Sequence, residues 1–160
     1  MRIRKAIVRL RGLLTYLWYR VIYGKAFSCA GMPKIRKHFN LVIEPGGMVT
    51  FGKGVFINNH CSFNCMNSVS IGDNCLFGES VKIYDHNHRF RDPDIPIAEQ
   101  AYKIGEIEIG NNCWIGSNTI ILRGVSIGDN VIIGAGCVID ADVPSRSIVR
   151  NHSVQNYLSW

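Results

Sequence analysis

At 160 residues with 47% hydrophobic side chains, the chain is long enough for one domain to bury a core without disulfide or metal staples, which excludes disorder as its default state. Sixteen glycines without a Gly-X-Y period exclude collagen-like structure and point to frequent tight corners. The net charge of +6 is divided unevenly: ten of the eighteen Lys and Arg precede residue 44, where no Asp or Glu occurs, leaving eight cations against twelve carboxylates in the rest, net −4. That division reads as a basic arm for an anionic surface on a mildly acidic body.

Residues 1–25 form the first predicted element, a basic amphipathic helix. Ile3, Ile7, Leu10, Leu14, Leu17 and Val21 recur at alternating spacings of four and three, an apolar stripe of helical period. Arg2, Arg4, Lys5, Arg9 and Arg11 lie off the stripe, and Tyr16, Trp18 and Tyr19 add aromatic bulk. Two readings stay open: a helix packed on the body or on a neighbouring subunit, and a helix lying in the interface of an anionic membrane. The apolar run from Gly12 to Tyr19 is bounded by Arg11 and Arg20, too short to span a bilayer and too interrupted for a signal peptide. No nucleic-acid partner is expected, because the basic residues form no recognised binding motif. The six cysteines contain no C-x-x-C pair and read as free thiols of a reducing cytoplasm, with peripheral contact at the inner face of the membrane.

Residues 26–40 are expected to connect this helix to a repeating body over 41–149, with a tail at 150–160. A six-residue period governs the body. Apolar anchors recur at Phe51, Ile57 and Phe63, at Ile71, Phe77 and Ile83, and from Ile109 through Ile115, Ile121, Ile127 and Ile133 to Ile139. Four residues after each anchor stands a small or β-branched residue, such as Val55, Cys61, Cys75, Cys113 or Thr119, and only Asn67 breaks that column. Neither a helix nor a hairpin meander repeats strictly every six residues. The period predicts a left-handed parallel β-helix, an all-β solenoid with three short strands per triangular coil, anchors inside and small residues near the corners. The cysteines of the column then serve as small hydrophobes. From Phe63 to Ile71 the step is eight residues, and from Ile83 to Ile109 it is twenty-six. The second gap predicts a protruding loop over 85–106, where function usually sits on a regular scaffold.

The runs VSIGDNCLFGESVKI at 69–83, YDHNHRF at 84–90 and IEIGNNCWIGSNTIILRGVSIGDNVIIGAGCVI at 107–139 resemble the hexapeptide-repeat acyltransferases, in particular the maltose, galactoside and capsular-polysaccharide O-acetyltransferases. The resemblance implies a homotrimer that transfers an acetyl group from acetyl-CoA to a hydroxyl of a sugar or glycan intermediate by direct attack, without a metal. It implies that His88, after Asn87, is the general base, a task suited to an imidazole titrating near neutrality. It also implies an oxyanion-stabilising backbone N–H within Trp114 to Ser117, best at Ser117, and a pantetheine groove beside Gly116, Ser117 and Ala135. Asn58 matches an acceptor-binding asparagine, with Asp85 and His86 as further acceptor contacts.

The chain departs from that pattern in three places. Met66 stands where the sugar acetyltransferases carry an acceptor-binding aspartate. The stretch after the last anchor is Asp140, Ala141, Asp142, and the ending is Asn151 to Gln155, so the CoA phosphates fall to Arg146 and Arg150. Two other readings compete: a γ-carbonic-anhydrase-like metalloenzyme using His60, His86 and His88 from neighbouring subunits, and a non-catalytic structural β-helix.

Overall fold

The computed structural model describes residues 2–151; the segment 152–160, which holds most of the unusual ending, and the side chains of Arg2, Ile3, Arg4 and Lys5 lie outside the described residues. After a helix α1 (Arg2–Tyr23), short parallel strands wind into a triangular prism of about five turns, a left-handed parallel β-helix. Its first face stacks β1 (Phe27–Cys29), β4 (Met48–Phe51), β7 (Ser68–Ile71), β12 (Ile107–Ile109) and β15 (Ser126–Ile127). The second stacks β2 (Lys34–Ile35), β5 (Phe56–Ile57), β8 (Leu76–Phe77), β13 (Trp114–Ile115), β16 (Ile132–Ile133) and β18 (Ile148–Val149). The third stacks β3 (Asn40–Ile43), β6 (Ser62–Cys65), β9 (Lys82–Tyr84), β14 (Ile120–Leu122) and β17 (Val138–Ile139). Every anchor named above is buried, and stacking is residue on residue: Ile57 pairs with Phe77, Phe77 with Ile115, and Ile115 with Ile133.

The segment 26–40 does not merely connect. It contributes β1 and β2, which pair with β4 and β5, so the prism begins at Phe27. Its period was hidden because the anchor position that pairs with Phe51 is held by a small residue, Cys29, although Cys29, Ile35 and Leu41 keep the spacing of six. The corner column is also continuous. Two residues before each anchor stand Val49, Val69 and Ile107 as well as Val55 and Cys61, all buried, so Val69 fills the position assigned to Asn67. The eight-residue step arises because β6 runs on to a buried Cys65 before the chain turns.

The cysteines and threonine of this column do more than fill space. Cys61, Cys75, Cys113 and Thr119 donate side-chain hydrogen bonds to the carbonyls of Gly78, Gly110, Gly128 and Gly134 in the next coil, at 3.1, 3.0, 3.1 and 3.1 Å. A valine there packs equally well but leaves that carbonyl without this donor. All six cysteines are free, and burial pushes the thiols of Cys29 and Cys65 up to about 12 and that of Cys61 up to about 11, which keeps them protonated and unreactive.

Helix α1 caps the open end of the prism with the side opposite its apolar stripe. Gly12 sits so close that a Cβ would lie 2.5 Å from the Pro33 carbonyl oxygen. Tyr16 and Tyr19 pack against Phe27, the Tyr19 hydroxyl donates to Phe39 O and accepts from Leu41 N at 3.1 Å, and the Tyr23 hydroxyl donates to Leu41 O at 3.0 Å. These bonds serve backbone groups that an exposed terminal coil would leave open. Leu10, Leu14 and Val21 of the stripe are 58%, 58% and 83% exposed, so the stripe is not what packs the helix on the body.

The column hydrogen bonds generate a direct expectation for stability. Thr119→Val keeps the shape but strands the buried Gly134 carbonyl, and should lower the unfolding free energy by about 1–3 kcal/mol in a denaturant titration, while Thr119→Cys, which keeps a donor, should cost clearly less. Equal losses in the two variants would mean that packing alone holds the column.

Candidate active site

One corner of the prism, between the second and third faces, gathers most of the residues singled out at the groove. Backbone hydrogen bonds run from Arg36 N to Ile57 O, Asn58 N to Phe77 O, Gly78 N to Ile115 O, Gly116 N to Ile133 O and Gly134 N to Val149 O. Arg36, Asn58, Gly78, Gly116 and Gly134 therefore form one column, with Arg150 next after Val149, and the residues after them form a second: Lys37, Asn59, Glu79, Ser117 and Ala135. With coils about 4.8 Å apart, Asn58 stands two coils, roughly 10 Å, from Gly116. Trp114 lies on the face leading to this corner and is 54% exposed. Arg146 does not join them. Its N–H bonds Asp129 O, in the column of Asn112 and Asn130 at the corner between the first and second faces.

Stacking alone requires the glycines of the groove. A Cβ on Gly116 would lie 2.5 Å from Ala135 N, and one on Gly78 equally close to Ser117 N. The second column has its own hydrogen-bonding habit: three of its five backbone N–H groups find a side-chain oxygen. Lys37 N donates to Asn59 Oδ1 at 3.2 Å, Asn59 N to Asn58 Oδ1 at 2.9 Å, and Glu79 N to Ser117 Oγ at 3.1 Å. Another corner repeats the habit, from Asp73 N to Asn111 Oδ1, Asn111 N to Asp129 Oδ1 and Asp129 N to Ser145 Oγ. Ser117 and Ala135 depart from it. The next coil offers Ser117 only the methyl of Ala135, and among the described residues no hydrogen bond takes the N–H of either. Two backbone donors are thus left free at a groove floored by small residues.

The loop 85–106 opens as a β-hairpin in which β10 (His86–His88) pairs antiparallel with β11 (Tyr102–Ile104), with His88 opposite Tyr102. The chain bends at Asp85, between the end of β9 and the start of β10. Asp85 was expected to contact acceptor. Instead it is fully buried, and its carboxylate accepts Met66 N at 2.8 Å, Asn67 N at 2.7 Å and the His86 ring Nδ1 at 2.9 Å. With those donors occupying it, no face is left for a ligand. Asp85 instead ties the widened corner at Met66 to the root of the hairpin.

That bond orients the His86 ring with Nδ1 toward Asp85, and both His86 and His88 lie against Tyr102, with ring centroids 5.4 and 4.5 Å away. The two imidazoles share one side of the hairpin, as alternation requires. Asn87 lies between them, exposed, opposite Lys103. His88 is exposed and lines a cavity of about 540 Å³ together with Arg89, Arg91, Asp92, Lys103 and Arg123. None of the groove residues lines this cavity, so a single chain holds the His88 site and the Ser117 groove on separate elements. His60, on the groove corner, stacks on His38 at 4.6 Å and lies apart from the hairpin histidines.

Tyr102 and Arg123 escaped the reading of the sequence. Tyr102 meets the histidines only through hairpin register. Arg123, in the corner before Gly124, shows itself only by a buried Nε without a hydrogen-bond partner.

Residues 106–141 match the bacterial transferase hexapeptide family (six repeats), and 68–82 match the hexapeptide repeat of succinyl-transferase. The chain carries bacterial transferase hexapeptide repeats. It is 36% identical over 120 residues to the galactoside O-acetyltransferase of Escherichia coli (strain K12), covering 68% of this chain and 56% of that protein. A solved maltose O-acetyltransferase from Clostridium difficile 630 superposes with a TM-score of 0.68 at 27% identity, covering 89% of this chain and 81% of the other. A galactoside acetyltransferase in complex with coenzyme A superposes at 0.64 and 25% identity, covering 89% and 76%. The chain spans about half the length of the curated relatives it matches.

The bonds at Asp85 make it a measurable anchor. Hydrogen bonds to a charged group contribute about 1.5–3 kcal/mol each, so Asp85→Ala should lower stability by about 3 kcal/mol or more and speed proteolytic cleavage within 85–106. Unchanged cleavage and unfolding would show that the hairpin is held by other contacts.

Proposed function

We propose that this chain is an acetyl-CoA-dependent O-acetyltransferase acting on a hydroxyl of a sugar or glycan intermediate, with His88 as general base. The observation that carries the reading is the Ser117 N–H left unpaired above Ala135, in a column where the N–H groups of Lys37, Asn59 and Glu79 are each satisfied by a side chain. Thioester acyl transfer needs a fixed donor of this kind, because the carbonyl oxygen becomes negative only as the tetrahedral intermediate forms. The small residues Gly116, Ser117 and Ala135 leave room for an extended pantetheine arm, Trp114 flanks it, and Arg150 at the end of the same corner suits the CoA phosphates. Arg146 would reach them only from another corner. The coenzyme A bound by the galactoside acetyltransferase supports the same donor here.

In the reaction the acceptor hydroxyl gives its proton to the neutral imidazole of His88 while its oxygen attacks the thioester carbonyl. Ser117 N–H stabilises the resulting oxyanion. Collapse breaks the carbon–sulfur bond, and the departing thiolate of CoA takes the proton back from His88. Asn58, two coils from Gly116, would hold the acceptor, with His86 on the other side of Tyr102 shaping the approach. No step calls for a metal.

Because one chain keeps His88 and the groove on separate elements, the complete site needs two copies, and a homotrimer provides it. The outward residues of the second face support this: Phe56, Leu76, Trp114, Ile132 and Ile148 form an apolar column, whereas the first face presents Ser28, Thr50, Ser70, Glu108 and Ser126. A neighbour packed on the second face removes that column from water.

The outward stripe of α1 supports a peripheral position at the inner face of a cytoplasmic membrane. Leu10, Leu14, Leu17 and Val21 are exposed between Arg9 on one flank and Arg11 on the other, and among the described residues no helix is long and apolar enough to cross the bilayer. A nucleic-acid partner finds no support in such a stripe.

Two experiments test the reading. His88→Ala should lower kcat by about 10²- to 10⁴-fold in a thiol-release assay with acetyl-CoA and little change in stability, whereas His86→Ala should mainly raise acceptor KM; full turnover in His88→Ala would remove the base. For the membrane, each basic residue near an anionic surface contributes about 1 kcal/mol. Leu14→Glu with Val21→Glu, which spares the tyrosines that cap the prism, should abolish co-sedimentation with phosphatidylserine-containing vesicles, and retained binding would return α1 to a purely packing role.

A further inference from the structure

The geometry of the His88 cavity points to an acceptor that carries a phosphate group beside the hydroxyl to be acetylated. This rests on His88 being the base. The cavity of about 540 Å³ is lined by Arg89, Arg91, Lys103 and Arg123 around the imidazole, against the single carboxylate of Asp92, a balance of +3. Among the described residues the ion pair is that of His86 with Asp85, so none of the four cations is neutralised within the chain. Asp92 is itself committed to its own loop, where its Oδ1 accepts Asp94 N at 3.1 Å.

Arg123 supplies the second observation. It lines the cavity that also holds the proposed base, and its Nε is buried with no hydrogen-bond partner among the described residues. Holding a guanidinium there is costly, and a ligand oxyanion in the cavity beside it offsets that cost. The planar fork of arginine matches phosphate and carboxylate oxygens in pairs, which a neutral sugar hydroxyl does not reproduce.

Charge decides between the two anions. A phosphate ester carries about −1.5 to −2 near neutral pH with three strong acceptor oxygens, and a diphosphate carries more. Either comes close to +3, whereas one carboxylate leaves about two charges uncompensated. The acceptor is therefore a sugar phosphate or a glycosyl diphosphate, joined to a nucleoside or to a lipid carrier. The exposed stripe of α1 agrees with the lipid carrier.

Calorimetric titration of the intact protein with inorganic pyrophosphate tests the cavity without any turnover. Binding should be measurable in the wild type and at least tenfold weaker in Arg123→Gln and in Lys103→Gln, the second a hairpin residue whose change spares the core. No binding by the wild type, or undiminished binding in both variants, overturns the proposal. In the kinetic arm, acetyl-CoA is paired with galactose 1-phosphate and with galactose. The phosphorylated sugar should be favoured at least tenfold in kcat/KM, with the ratio falling in Lys103→Gln. A raised KM for acetyl-CoA with an unchanged ratio assigns the cavity to the CoA phosphates and also overturns it. A nucleoside-diphosphate sugar and a polyprenyl-diphosphate sugar in vesicles then identify the carrier, a preference for either being support. Pyrophosphate binding that depends on Arg123 and Lys103, without thiol release from any acceptor, would leave the anion site standing while the acyltransferase reading falls.

Discussion

Residue-on-residue stacking of coils about 4.8 Å apart is the constraint from which the rest of this molecule follows. Because each corner residue sits directly over its counterpart, a single atom added at Gly116 collides with the backbone of Ala135, and a single oxygen placed at Asn111 or Asp129 serves the N–H of the coil beneath. The corner columns are ladders in which one residue's side chain satisfies another's backbone. A ladder of this kind can be interrupted locally without losing the fold, since every other rung is held independently. At Ala135 the interruption leaves the Ser117 N–H without an acceptor among the described residues. The substitution that creates the opening is an alanine that forms no polar contact of its own.

The same constraint explains how the hairpin is attached. Leaving a stacked prism exposes the strand ends on either side of the exit, so the exit needs a group able to satisfy several donors at once. Asp85 is placed at that point, where a buried carboxylate accepts two backbone N–H groups of the widened corner and one imidazole N–H. The extra residues at Met66 and Asn67 and the long insertion after Tyr84 are therefore one feature seen at two places in the chain. The backbone of Met66 is drawn into this anchor through the bonds its N–H gives to Asp85.

Much of this was legible in the residues. The period of six gave the faces, the buried anchors and the place of the protruding loop, because stacking repeats the same environment at the same spacing. What escaped notice lies where the repetition is weakest. The first coil was hidden because small Cys29 stands at the anchor position that Phe51 holds in the next coil, and the continuity of the corner column by counting forward from Phe63 instead of back from Ile71. The groove residues Asn58, Gly116, Ser117, Ala135 and Arg150 fell on one corner as the spacing required, whereas Arg146, equally basic and only four residues from Arg150, turned to another. Asp85 read as an acceptor contact because it lies in the tract YDHNHRF that carries the resemblance. Its partners at Met66 and Asn67 are brought to it by one turn of the prism, which no local pattern announces.

Helix α1 packs on the body, one of the two readings left open, yet leaves its apolar stripe exposed. Its apolar stripe is real, yet burial of that stripe against the prism would have left Leu41 N–H and the Phe39 and Leu41 carbonyls without the tyrosine hydroxyls that now meet them. Leucine and valine bring apolar area but no polar tip. Tyrosine supplies both, and that is what the open end of a β-helix needs where backbone groups and aromatic core end together. Once the tyrosines take the inner side, helical geometry turns Leu10, Leu14, Leu17 and Val21 outward. Capping the prism and exposing the stripe are thus the same event, set by the requirement at the end of the solenoid.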